Sequence, residues 1–135
     1  MQTFFYLFKK SINIGENPLG NKVLLIAFRE DPMCLVHVWL NALDMHKKGM
    51  NVKVVLEGAS TQNLIQYHKN PKAPFINLFQ ECFAAGLIDA VCKACVTKMG
   101  ALDAAIALKL PIKGEMSGHP SLGSYIADGF EILTF

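Results

Sequence analysis

Cys92-Lys93-Ala94-Cys95 places two thiols where an apolar, strand-like run (Leu87, Ile88, Ala90, Val91) meets a short helix-like run ending at Gly100. If Cys92 caps that helix, its sulfur faces unpaired backbone N–H groups and the positive end of the helix dipole, which favour thiolate over thiol. Cys95 then stands one turn up the same face, placed to resolve a bond formed at Cys92, to share a metal with it, or only to pack. Sulfur transfer needs one accessible thiolate that attacks a donor persulfide and later yields its outer sulfur to another thiol. Metal binding needs more ligands, and Cys34-x-x-His37 repeats the spacing. Cys34, His37, Cys92 and Cys95 together would make a Cys3His zinc site. Dithiol exchange also uses Cys-x-x-Cys at a helix start. Here Val91 precedes the pair and Lys-Ala separates it, where thioredoxin-like sequences usually carry an aromatic residue and then proline or glycine.

Other residues are weaker candidates. His119, in Ser117-Gly118-His119-Pro120, is placed to accept a proton or donate a hydrogen bond at the site, or to stand in a surface turn. The loop from Arg29 to Cys34 follows the first strand, so Arg29, Glu30 and Cys34 are expected to line the pocket. Glu30 and Asp31 put negative charge where a flavodoxin binds flavin phosphate, which argues against flavin. There is no Gly-rich phosphate loop and no Ser/His/Asp constellation, so no organic cofactor is expected. His37, His46 and His68 read as solvated helix positions, and Cys82, between Glu81 and Phe83, reads as packing.

The elements that must position these groups are marked along the chain. Val23 to Phe28 is a continuous apolar run, the pattern of a strand covered on both faces. Asp31-Pro32 supplies an N-cap and a proline at the first helical position, and Lys47-Lys48-Gly49 closes that helix. Val52 to Leu56 is a second strand, Gly58 to Thr61 a turn into a helix start, and Ile76, Phe79 and Phe83 mark a helix closed by Gly86. The third strand, Leu87 to Val91, leads into the dithiol turn. A helix follows through Leu102, Ala105 and Ile106, then a fourth strand over Ile112 to Met116. Ser121 caps a helix over Leu122 to Ala127, and Phe130 to Leu133 is the last strand. Alternating strands and helices predict an α/β fold with a mainly parallel five-stranded sheet in a three-layer sandwich. A flavodoxin-like strand order of 2-1-3-4-5 would make strands 1 and 3 neighbours and put Cys92 at the switch point where ligands bind.

At 135 residues, with 52% hydrophobic content, the chain has the size and apolar surface for one domain. Only 18% of residues are charged and the net charge is +2, without a basic stripe, so nucleic acid is not the expected partner. A mean hydropathy of +0.29 is high for so small a chain and predicts a homo-oligomer. Four cysteines outside any regular framework fit a reducing cytoplasm better than a secreted disulfide scaffold. The cluster Phe4 to Phe8 is too short to span a bilayer and lacks signal-peptide flanks. Residues 1–20 are therefore expected to form an arm or extra strand rather than to meet a membrane.

Val91-Cys92 at a strand end, a short helix to Met99-Gly100, Leu110-Pro111-Ile112 and a closing helix plus strand over Ser121 to Phe135 resemble the DsrE/DsrF family of small sulfur-relay proteins. That family includes Tus-type sulfurtransferase subunits. The resemblance covers residues 21–135 and implies a flavodoxin-like domain assembled as a trimer or hexamer, with sulfur donor and acceptor proteins as partners. It also implies that Cys92, at the position of the family's sulfur-accepting cysteine, carries sulfur as a persulfide. A second cysteine at Cys95 occurs in part of the family, and the first twenty residues have no counterpart in the common domain.

Overall fold

The run Val23–Ala27 carries no polar side chain, so it can be covered on both faces, and all five residues are buried in β1 (Lys22–Ala27). The computed structural model describes residues 21–135; the arm or extra strand expected over residues 1–20 lies outside them. α1 (Pro32–Lys47) starts where the sequence marks it, with the Asp31 carboxylate accepting from Met33 N at 2.8 Å. Gly49, at φ 80°, turns the chain into β2 (Asn51–Leu56). A 3-10 helix (Gly58–Gln62) and α2 (Asn63–Lys69) follow, then α3 (Ile76–Ala84), β3 (Ile88–Cys92), α4 (Lys93–Lys98) and α5 (Leu102–Ala107). The fourth strand is shorter than its apolar pattern predicts: β4 pairs only over Ile112–Lys113, because Gly114 leaves the sheet for a tight turn. α6 (Leu122–Ala127), capped by Ser121, and β5 (Glu131–Thr134) complete the chain.

The sheet is five-stranded and all pairs are parallel. Its order is β4-β3-β2-β1-β5, which corrects the flavodoxin-like order expected above. β1 lies between β2 and β5, and β3 is not its neighbour. The crossovers from β1 to β4 all step one way, and only the last connection returns across the sheet to the free edge of β1. The switch point therefore falls between β1 and β5 rather than beside the dithiol.

The layers follow from the alternation of side chains. Val23, Leu25 and Ala27 of β1 and Val52, Val54 and Leu56 of β2 face the larger core, against α1, α2, α3, α4 and α5. Trp39, fully buried on α1, anchors that side, donating from Nε1 to Tyr67 Oη at 3.1 Å and meeting the Phe79 ring edge-on. Leu24, Ile26, Val55 and Ala90 face the other way, under Tyr125 of α6 and Phe130. β3 carries a bulge: Val54 pairs with Ile88 and Val55 with Ala90, leaving Asp89 outside the ladder. Its carboxylate meets Tyr125 Oη, Lys113 Nζ at 3.1 Å and Lys53 Nζ at 3.5 Å. Among the described residues no helix is long and apolar enough to cross a membrane.

Candidate functional site

Cys92 ends β3 and caps α4, as its place in the sequence predicts. Its backbone is extended (φ −61°, ψ 119°), and Sγ accepts from Cys95 N at 3.5 Å. The thiol is fully buried, whereas Cys95 is half-buried. What seals Cys92 is the turn that follows β4. Met116 and His119 exchange backbone hydrogen bonds at 2.9 Å, with Ser117 and Gly118 at φ 50° and 94° between them. Gly118 O accepts from Ala94 N at 2.8 Å, locking the turn onto the first turn of α4. That approach needs glycine twice. A Cβ at Gly118 would meet Ala94 Cβ at 3.2 Å, and one at Gly114 would meet Lys93 Cβ at 3.0 Å and Gly118 C at 3.1 Å.

The turn delivers His119. Its Nδ1 lies 3.1 Å from Cys92 Sγ and 4.0 Å from Cys95 Sγ. With the ring protonated at Nε2, Nδ1 accepts the Cys92 thiol proton; Gly118 O, at 3.7 Å, is the weaker alternative acceptor. The fourth group comes from the end of β2. Glu57 hydrogen-bonds through its N–H to Ala27 O at 2.9 Å, and its buried carboxylate lies 3.8 Å from His119 Nδ1. One ligand atom each from Glu57, Cys92, Cys95 and His119 falls within 4.8 Å of all the others. The site thus uses the carboxyl ends of three adjacent strands, with β2 supplying the carboxylate, β3 the thiols and the loop after β4 the imidazole.

The electrostatics run against a freely ionised Cys92. Burial pushes its thiol up to about 12, and the Cys95 N–H bond opposes this without overcoming it, while the neighbouring Cys95 and Glu57 push the same way as burial. The cap geometry matches the expectation; the stabilised thiolate drawn from it does not follow, because desolvation outweighs one backbone donor. An ionised Cys92 therefore needs a proton acceptor or a cation beside it.

The structure separates residues that the sequence analysis grouped. Arg29 and Cys34 line a different cavity of about 550 Å3, with Phe28, His37, Asn41, Thr134 and Phe135. It opens at the ends of β1 and β5, the actual switch point. Glu30 is exposed, and its carbonyl accepts from Asn63 Nδ2 at 2.9 Å. The Cys3His set is not assembled: Cys34 and His37 lie beyond β1, separated from the end of β3 by β2, so they do not join Cys92 and Cys95. His37, His46 and His68 are exposed, and Cys82 is buried with its thiol directed at Trp39 O, 3.7 Å away. Glu57 is the residue the sequence analysis missed. Its signal was slight, a carboxylate directly after an apolar strand and before Gly58.

No family model matches the chain, and no solved structure matches it. An uncharacterized protein of Archaeoglobus fulgidus is 26% identical over 49 residues, covering 36% of this chain and 80% of that protein.

Proposed function

We propose that this chain is a small sulfur carrier of the DsrE/DsrF kind, holding a sulfane sulfur as a persulfide on Cys92. The observation that carries the reading is the contact between Cys92 Sγ and His119 Nδ1 at 3.1 Å. As Cys92 attacks the outer sulfur of a donor persulfide R–S–SH, its thiol proton passes to His119 and the donor's S–S bond breaks. The imidazolium then protonates the departing R–S⁻, leaving R–SH and Cys92–S–SH. Glu57, beside the imidazole, stabilises the charged ring while it holds the proton. The 114–120 turn must lift to admit the donor, since Cys92 is sealed beneath it. Cys95, half-buried beside it, is the nearest thiol that can take up or displace the carried sulfur.

A reducing, cytoplasmic setting and a homo-oligomer belong to the same proposal. The four free cysteines support the first, and the high mean hydropathy of the chain supports the second. Incubating metal-free protein with a small persulfide donor and measuring intact mass tests the carrier role. One added sulfur on the wild type and none on Cys92→Ser is the expected result. Equal loading of the two proteins, or none on either, refutes it.

A further inference from the structure

We infer that Glu57, Cys92, Cys95 and His119 form a binding site for one thiophilic divalent cation of the zinc class. Two thiols, an imidazole and a carboxylate are ligand types that zinc accepts together, and the four come from three separate segments of the chain to one point. Tetrahedral zinc bonds of about 2.0 to 2.3 Å set ligand atoms roughly 3.3 to 3.8 Å apart. The recorded separations are 3.1 Å from Cys92 to His119, 4.0 Å from Cys95 to His119 and 3.8 Å from His119 to Glu57. Small side-chain adjustments of well under an ångström bring these three onto the tetrahedral range.

Glu57 is the independent observation that points to a ligand. Its side chain is nine-tenths buried, and among the described residues its carboxylate has one ionic partner, the His119 imidazole. The carboxylate closes the cluster beside the imidazole and both thiols, where a cation would meet its charge. A dication answers the carboxylate and converts both thiols to thiolates, releasing their protons to solvent. The Cys95 N–H already directed at Cys92 Sγ would then stabilise a bound thiolate. Cys92 and Glu57 lie on the buried side of the cluster, and Cys95 and His119 on its part-exposed side. The site stands whether or not the chain carries sulfur; only the corollary, that bound metal blocks persulfide loading at Cys92, rests on that reading.

Cobalt(II), titrated into full-length chelator-treated protein, is the probe. One ion per chain is expected, with thiolate-to-cobalt charge transfer in the near ultraviolet and the intense visible bands of tetrahedral cobalt. Glu57→Gln and His119→Ala should each weaken binding by at least about tenfold, since even residues one step removed from a metal cost about that much. Cys92→Ser should lower the charge-transfer intensity per bound ion by about half, since one of two thiolates is lost, and Cys34→Ser should change nothing. Circular dichroism on each variant separates ligand loss from unfolding. Cobalt binding near zero, or binding that Glu57→Gln and Cys92→Ser leave unchanged in folded protein, overturns the inference. Persulfide loading of the same metal-free samples is read separately, so sulfur uptake without cobalt binding defeats the metal site alone, and the reverse result defeats the carrier role alone.

Discussion

Replacing Gly118 by alanine tests whether the turn over Cys92 is a tight, strained lid. The residue sits at φ 94°, where an L side chain is rarely found, and its new Cβ would lie 3.2 Å from Ala94 Cβ. Backbone held in such a region costs about 1 to 3 kcal/mol, and here that strain is relieved when the turn lifts. The open population should therefore rise by about 5 to 150-fold. Cys92 is fully buried in the closed form, so its modification by a small alkylating reagent follows the open population and should accelerate by the same factor. The assay is a time course with digestion and peptide mass mapping, which separates Cys92 from the half-buried Cys34 and Cys95. Gly123→Ala is the control. Gly123 lies within α6, its Cβ would make only an ordinary 3.8 Å contact with Ser121 Oγ, and alanine there should add up to about 1 kcal/mol of stability. A Gly118→Ala protein whose Cys92 reacts at the wild-type rate would refute the lid.

His119→Ala should slow persulfide loading by about a hundred to ten thousandfold while leaving the far-ultraviolet spectrum unchanged, measured as the rate of mass gain. Burial opposes ionisation of Asp89, but hydrogen bonds from Tyr125 and Lys113 and the charges of Lys113 and Lys53 outweigh it, holding its carboxyl below the usual aspartate range. The stability this contributes is present above the unfolded-state value of about 3.9 and is lost as pH falls through the lower folded value. Urea denaturation from pH 6 to pH 3 should therefore show Asp89→Asn least stable relative to wild type at the upper end, the gap closing toward the acid end. Trp39→Ala removes a fully buried indole and its bond to Tyr67, and should cost about 3 to 5 kcal/mol in urea denaturation with an unchanged slope.

The caps show why much of the fold is legible in the chain. Asp31, Cys92 and Ser121 each accept a hydrogen bond from a backbone N–H two or three residues ahead, so the information lies within one turn of sequence. The short β4 was harder to read, because Ile112 to Met116 has no breaker but Gly114, and only the contact with α4 makes that glycine leave the sheet. Three of the four residues of the candidate site were legible for the same reason. Cys92, Cys95 and the Gly118-His119 turn are local patterns, whereas Glu57 reaches them only because β2 lies beside β3. A trace of that adjacency was present in Lys53, whose partner Asp89 sits on the neighbouring strand.

The alternation of strands and helices, the starts of most elements, and the dithiol that opens a helix at the end of a strand are all written in the amino-acid sequence. Those features rest on hydrogen bonds and side-chain periods that close within a few residues. Tertiary structure alone decided the order β4-β3-β2-β1-β5, the removal of Cys34 and His37 to another cavity, and the meeting of Glu57 and His119 around Cys92. It also decided the state of the thiol. A helix start favours thiolate, but burial beneath the 114–120 turn outweighs it, and burial depends on what distant segments cover.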